Sequence, residues 1–315
     1  MHPTTAFPTT VDESGLGVRE AIAADERPEP IVEFAIGSDC SVPASERPNS
    51  DHDDAQASAD SAASITGSST ISVAIPAYNE AEAIVEVVVE TREYAEEVVV
   101  IDDGSADDTA ARAYDAGATM AEHDHNEGYG AALRTAFETA DRRGVDHLVM
   151  LNGDGQHDPA DIPRLVTCQA ETDAEIVIGS RFVDGYESAI PAFRRFGIQV
   201  INALTNLSIG VRGGNARVSD TQSGFRAYDA RAIESLAGDR TVGKGMGASI
   251  DVLHHAHRRG YDIEEIGTVV AYDVENGSTH HSVRHGFGLL TNLLGTIGRD
   301  HPIESSGVDR SSERS

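Results

Sequence analysis

Three short stretches of this sequence carry oxygen-bearing side chains at spacings that could do chemistry. The densest is Leu151-Asn152-Gly153-Asp154-Gly155-Gln156-His157-Asp158-Pro159. In an extended segment Asp154 and Gln156 project to the same side and offer two oxygens to a hard cation. Mg²⁺ or Mn²⁺ held by so few protein groups keeps positions open for phosphate oxygens, and it would neutralise charge on a departing diphosphate. Gly153 and Gly155 allow a ligand to approach the main chain closely. The same residues also make an ordinary turn, which Asp, Asn and Gly favour without any ligand. The second stretch is Val100-Ile101-Asp102-Asp103-Gly104-Ser105, with Asp107, Asp108 and Thr109 just after it. A carboxylate there can accept from a base N–H or a ribose hydroxyl, while Ser105 or Asp107 would equally well cap a helix. In the third, Pro76-Ala77-Tyr78-Asn79-Glu80, proline ends a strand and Asn79 suits a helix cap.

Chemistry at these positions requires a frame that brings the three stretches together. Ile71 to Ile75 reads as a buried strand closed by Pro76, and Ile84, Val87, Val88, Thr91 and Ala95 share one helical face. Val98 to Ile101 is the next apolar run, followed by a short helix around Asp108 to Tyr114 and a weak strand near Ala118 to Ala121. Leu133, Ala136, Phe137 and Ala140 mark another helix; Leu148 to Leu151 and Ile176 to Ile178 read as two further strands. Strands alternating with helices of this length predict an α/β fold with a mostly parallel sheet flanked by helices. Ligands of such sheets bind beyond the carboxyl ends of the strands, which is where the acidic stretches fall, after Ile75, Ile101 and Leu151.

In this order and spacing the three stretches resemble the family 2 glycosyltransferases, and within them the dolichyl-phosphate mannose and glucose synthase group. The resemblance runs from about Ile71 to Ser278 and adds Asn126-Glu127-Gly128-Tyr129-Gly130-Ala131-Ala132, Ile178-Gly179-Ser180-Arg181-Phe182 and Asp220-Thr221-Gln222-Ser223-Gly224-Phe225-Arg226. It implies the GT-A fold, the Rossmann-like fold of nucleotide-diphospho-sugar transferases. It also implies transfer of a hexose from a nucleotide-diphosphate sugar (UDP-hexose or GDP-mannose) to a dolichyl or polyprenyl phosphate, with Mg²⁺ or Mn²⁺. By the same resemblance Pro76, Tyr78, Glu80, Ile101 and Asp103 would hold the nucleoside, with Asn152 and Gly153 beside it. Asp154 and Gln156 would hold the metal, Arg181 the phosphates, and Arg194 or Arg195 a second phosphate, while Asp220 would position the acceptor. Two departures stand out: Asn152 occupies a place where relatives usually have aspartate, and Val274 and Thr279 replace basic residues around a Gly-x-Ser. Two rival readings keep the donor site: transfer to a sugar hydroxyl of a growing glycan, with Asp220 as base, and a nucleotide-sugar binder without activity. A nucleotidyltransferase would want a glycine-rich, lysine-bearing loop that is missing after the first strand. The histidine clusters His254-His255-His257 and His280-His281 read as solvated side chains before they read as a zinc site.

Over the 315 residues, 53 acidic side chains face 24 basic ones, for a net charge of −29, and Lys244 is the only lysine. The acidity continues through the folded part, as in Asp102-Asp103 and Glu264-Glu265. That balance fits a halophile, whose salt-filled cytoplasm screens self-repulsion. It excludes wholesale binding of nucleic acid. Cys40 and Cys168 cannot build a disulfide framework, which fits a reducing cytosol. No basic start followed by an apolar run marks a secretory signal. The apolar runs Phe196 to Val211 and Gly286 to Gly298 fall short of the roughly 20 residues that a membrane span needs. The expected location is therefore cytoplasmic, with room for peripheral contact on the cytoplasmic membrane face. The expected organisation is a disordered acidic tail over residues 1–68, relieved by a weak strand at Ile31 to Phe34. A GT-A domain over 69–280 follows, then a C-terminal amphipathic helix over 281–300 carrying Leu290, Leu293, Leu294 and Ile297, and a disordered tail over 301–315.

Overall fold

The structure, a computed structural model, describes residues 10–11, 17–19, 69–183, 192–211, 217–241 and 247–270. Its strands are β1 (Thr10–Val11), β2 (Gly17–Arg19), β3 (Ile71–Ala77), β4 (Glu97–Asp102), β5 (Thr119–Glu122), β6 (His147–Met150), β7 (Ile176–Ser180), β8 (Arg226–Asp229) and β9 (Ile263–Gly267). The helices are α1 (Ile84–Thr91), α2 (Thr109–Asp115), α3 (Tyr129–Arg143), α4 (Ile162–Thr172), α5 (Ala192–Ser208), α6 (Ala230–Ala237) and α7 (Ala248–Arg259). All nine strands form one sheet in the order β1-β2-β5-β4-β3-β6-β8-β7-β9.

The centre of the sheet, β5-β4-β3-β6, is parallel throughout, with Ser72 opposite Glu97 and Ile71 opposite His147. The strands expected from the apolar runs all form, within one or two residues of the expected ends. β8 then runs antiparallel to both β6 and β7, whereas β9 is parallel to β7. Because β8 is reversed, its amino end lies at the edge where the parallel strands have their carboxyl ends. The Asp220-to-Arg226 stretch therefore arrives at the same edge as the three acidic stretches.

Alternation along each strand divides the core between the two faces. Val73, Ile75, Val98, Val100, Val149 and Leu151 pack with α1, α2 and α4 through Ile84, Val88, Ala113 and Leu165. Ala74, Val99, Ile101, Leu148 and Met150 pack on the other face with α3, α6 and α7 through Leu133, Phe137, Leu236 and Leu253. α1 buries Ile84, Val87, Val88 and Thr91, the face expected from their spacing.

Within the 1–68 segment, whose composition predicts no structure, β1 and β2 form a short antiparallel ladder that extends the sheet beyond β5. The expected strand at Ile31 to Phe34, the 281–300 helix and the Asn276-to-Thr279 stretch lie outside the described residues. Among the described residues no helix is long and apolar enough to cross a membrane.

Candidate active site at the carboxyl edge of the sheet

The turns after β3 and β4 are tied to each other before they can bind anything. Asn79 adopts the left-handed conformation, at φ 57°, which asparagine tolerates better than most residues. Its side-chain oxygen accepts from Ala106 N at 2.9 Å, and its own N–H donates to Ser105 Oγ at 2.9 Å. Glu80 N donates to Thr109 Oγ1 at 2.8 Å, and Ala81 N to Asp107 Oδ2 at 3.3 Å. Asn79 and Ser105 therefore cross-link two turns instead of capping helices: α1 begins after Ala83, with no side-chain cap.

Asp103 is 4% exposed and has both oxygens engaged by the loop before α3. Oδ1 accepts from Glu127 N at 2.9 Å and pairs with His123 Nδ1 at 2.7 Å; Oδ2 accepts from Gly128 N at 2.8 Å. This shapes the Asn126-to-Ala132 stretch, where Gly128 takes φ 93° to start the helix. Asp102 points to the opposite face. Its Oδ2 accepts from Ser105 N at 3.0 Å, and its buried Oδ1 has no hydrogen-bond partner among the described residues. Ile101 lies wholly in the core opposite Pro76, so of the expected nucleoside contacts it can offer main chain alone. Tyr78 is 44% exposed at the rim.

The carboxyl end of β6 delivers Asn152 to Gln156. A Cβ on Gly153 would sit 3.4 Å from Ala77, Ile75 and Ile84, so this turn lies tight against β3 and α1. A Cβ on Gly224 would come within 2.7 Å of Asn152 Oδ1, so the Asp220-to-Arg226 stretch closes directly over the asparagine. Asp154 Oδ1 accepts from Gln156 N at 3.1 Å, and burial raises the Asp154 carboxyl above its ordinary range. Glu80 is pushed up to about 7, first by burial and then by the charges of Asp154 and Asp107. The charges of Asp154 and Asp107 thus bear on the Glu80 carboxyl at the junction of β3, β4 and β6, and a divalent cation would relieve that repulsion. Among the described residues no three acidic, histidine or cysteine side chains converge on one metal position.

Across the edge, at the ends of β7 and β8, the charge is reversed. Arg181 grips Asp220 bidentately, Nε to Oδ2 at 2.6 Å and Nη2 to Oδ1 at 2.7 Å, while its main-chain N donates to Oδ2 at 3.1 Å. Burial alone would raise the fully buried Asp220, but the hydrogen bonds and charge of Arg181 hold it below the usual carboxylate range. The loop carrying Asp220 is fixed from two sides. Glu265 of β9 accepts from Ser219 N at 2.7 Å and Asp220 N at 3.0 Å. On α5, Asn206 bonds both main-chain groups of Val218, accepting at 3.0 Å and donating at 2.7 Å. Asn202 donates to Ser219 O at 2.5 Å and accepts from Thr221 N at 3.1 Å. His157 lies behind the pair, its ring 5.2 Å from Phe225, and is pushed down to about 4 by burial and the Arg181 charge. Arg226, 2% exposed, reaches Thr221 O and Ser249 O.

Of the expected site residues, Pro76, Tyr78, Glu80, Asp103, Asn152, Gly153, Asp154, Gln156, Arg181 and Asp220 all fall on this one edge. Arg195 is exposed in the first turn of α5, and only the backbone of Arg194 is described. Glu265, Asn202 and Asn206 escape the motif reading because their partners are distant in sequence, whereas Asp107, read only as a helix cap, also bears on Glu80. The histidines of α7 separate: His254 meets Ser208 at 3.0 Å, whereas His255 lies between Ser235 and Asp239. His280 and His281 lie outside the described residues.

The family model for glycosyl transferase family 2 matches residues 72–236, which is 165 of the 315 residues and includes the three acidic stretches, the Asn126-to-Ala132 and Ile178-to-Phe182 stretches and the Asp220-to-Arg226 stretch. The chain belongs to that family. This glycosyltransferase is similar to the polyprenol monophosphomannose synthase of Mycolicibacterium smegmatis, 30% identical over 62% of this chain and 74% of the relative. It is also similar to the UDP-N-acetylglucosamine–dolichyl-phosphate N-acetylglucosaminyltransferase of Methanococcus voltae, 27% identical over 70% of this chain and 93% of the relative. A solved glucosyl-3-phosphoglycerate synthase from Mycobacterium tuberculosis, in complex with Mn²⁺, UDP and glucosyl-3-phosphoglycerate, superposes with a TM-score of 0.55 at 22% identity. That match covers 73% of this chain and 81% of the other. The glycosyltransferase therefore has the GT-A fold, an α/β sheet flanked by helices.

Proposed function

We propose that this glycosyltransferase moves a hexose from a nucleotide-diphosphate sugar, UDP-hexose or GDP-mannose, to a dolichyl or polyprenyl phosphate, using Mg²⁺ or Mn²⁺. The observation that carries the reading is the division of charge along one sheet edge. Carboxylates gather at Glu80, Asp107 and Asp154, and a guanidinium, Arg181, is aimed by a buried carboxylate across from them. Two relatives support the acceptor, one named for making a polyprenol monophosphomannose and one named as a dolichyl-phosphate N-acetylglucosaminyltransferase, and a fold neighbour solved with Mn²⁺ and UDP supports the donor.

In this reading Asp154 and Gln156 hold the cation, whose chemistry is to neutralise charge on the leaving diphosphate. Pro76, Tyr78 and Glu80 line the nucleoside side with Asp102, while Asp103 shapes the loop before α3. Arg181 donates to the phosphates, and Asp220 keeps its guanidinium planar to them. An oxygen of the acceptor phosphate attacks the anomeric carbon as the bond to the diphosphate oxygen breaks, and the nucleoside diphosphate departs. A phosphomonoester with a second pKa of about 6 is already ionised near neutrality, so no base is required. A sugar-hydroxyl acceptor would need one. Asp220, buried and gripped by Arg181, is poorly placed to take a proton.

The test is transfer from labelled donors to polyprenyl phosphate, with Mn²⁺ and after chelation. Product that appears with metal and vanishes on chelation supports the proposal. Labelled product on free or lipid-linked sugars instead, or no turnover with any acceptor, overturns it.

A further inference from the structure

The donor half of the site is braced from the outer edge of the sheet. β5 leads directly into His123, whose main-chain N donates to Asp102 O at 2.9 Å. The His123 ring spans Asp103 Oδ1 at 2.7 Å and Thr135 Oγ1 at 2.9 Å. Asp103 in turn accepts from Glu127 N and Gly128 N, at the start of α3. One residue therefore ties the end of β5 to both the turn after β4 and the loop before α3. On the other side of β5 stands β2, with Arg19 opposite Met120, Val18 opposite Ala121 and Gly17 opposite Glu122. Glu122 is itself opposite Asp102. Gly17, Glu122 and Asp102 thus form one row across three strands at the carboxyl edge. The row ends on Asp102, whose buried Oδ1 has no hydrogen-bond partner among the described residues.

The strand at the outer end of this row has little to hold it. β2 pairs with β5 through three residues and with β1 through two, and β1 is the last strand of the sheet. A two-stranded ribbon is marginal in water by itself, so β1 and β2 dock or leave as a unit. The chain between Arg19 and Ile71, residues 20–70, has 51 residues, and such a tether can reach roughly 170 Å when extended. It lets the pair leave β5 and return. Elements of such low local stability are the ones that move when a ligand binds.

We propose that residues 10–19 form a detachable arm, and that its docking on β5 and nucleotide binding at the Asp102-Asp103 turn strengthen each other. The inference rests on the nucleotide-sugar reading for its ligand. The docked arm extends the ladder on β5 and so steadies Glu122 and His123, and through His123 the Asp103 carboxylate and the loop before α3. A nucleotide fixes the same turn from the other side. Coupling of this kind is reciprocal, and its usual size is fivefold or more in affinity. Whatever strips the arm from β5 would lower donor affinity, while saturating donor would hide the loss. An arm that only covers an exposed strand edge would change stability or solubility and leave affinity alone.

The test compares the full-length protein with its Val18→Pro variant. β2 is paired on both sides, so proline there removes a ladder bond to one neighbour or the other. Calorimetry with UDP or GDP and Mn²⁺ gives the Kd, and hydrogen exchange follows the amides of Met120 to Glu122. Nucleotide should slow that exchange in the wild type. Val18→Pro should speed it and raise the Kd about fivefold or more. A peptide of residues 8–21, added at millimolar concentration to the variant, should restore the affinity. Arg19→Pro takes its place if Val18→Pro does not fold. Unchanged Kd in the variants overturns the proposal, even if their melting temperature falls, and so does exchange at Met120 to Glu122 that ignores nucleotide. If the wild type binds neither UDP nor GDP, the donor reading fails and the arm's role fails with it. If the wild type binds and the variants bind equally well, only the arm is lost.

Discussion

At the scale of single residues, the site is a set of charges whose arrangement makes its own demands. Asp154→Asn removes the carboxylate best placed for the cation, and it should cut transfer by about 100-fold or more while leaving circular dichroism unchanged. Asn152→Asp should be tolerated, since the amide already sits against Gly224 at the same length. Retention of near-normal turnover by Asp154→Asn would remove the metal from the mechanism. Glu80 makes a pH prediction. Its carboxyl is raised from 4.5 to about 7, so the folded state holds a proton that the unfolded chain has already released. Its contribution is full below pH 4.5 and is lost as pH rises through about 7. The melting temperature of the chelated protein should fall across that window, and Glu80→Gln should flatten the fall. Mn²⁺ with a nucleoside diphosphate should restore stability at the upper end. Asp154 and Arg181 were legible in the sequence because strand ends deliver them in short, recognisable stretches. The repulsion at Glu80 was not, because it depends on Asp107 arriving from the next turn of the sheet.

Elements tell the same story at longer range. The parallel strands β3, β4 and β6 and the helix α1 could be read from apolar periodicity, because each buries one uninterrupted pattern. β8 could not: Arg226-Ala227-Tyr228-Asp229 has no strand signal, and its arginine is buried by bonds to Thr221 and Ser249 that only the fold supplies. β9 hides in the same way, since Glu264 and Glu265 interrupt it and Glu265 earns its place by holding the Asp220 loop. The latch between α5 and that loop is the element-scale prediction. Asn206→Ala would leave the N–H and C=O of Val218 buried and unpaired, at a cost of about 2–4 kcal/mol. Urea denaturation should show that loss. Acceptor-side kinetics should suffer more than nucleotide affinity, because the donor half of the site is built from other strands. An Asn206→Ala protein of wild-type stability would show that the latch is not formed.

For the whole molecule, charge and the long acidic lead segment are the properties that matter. Deleting residues 1–66 should leave an active enzyme, since β1 and β2 add two short strands outside the main core and the first strand of the parallel sheet starts at Ile71. Insolubility or inactivity of the truncated protein at high salt would show that the edge ladder belongs to the fold. Lowering KCl from molar to tenths of molar should destabilise both forms through self-repulsion, read as a fall in melting temperature. The acidity was plain in the sequence. One topological feature has evolutionary weight. The chain leaves the sheet at Ser180 and re-enters it, reversed, at Arg226, while β7 and β8 stay paired through Ile176 to Ile178. Whatever lies between is an excursion with both ends clamped. Between Arg181 and the loop that carries Asp220 it can lengthen, shorten or be exchanged without shifting the register of the parallel strands. A lineage built this way can change what it glycosylates while conserving what it glycosylates from.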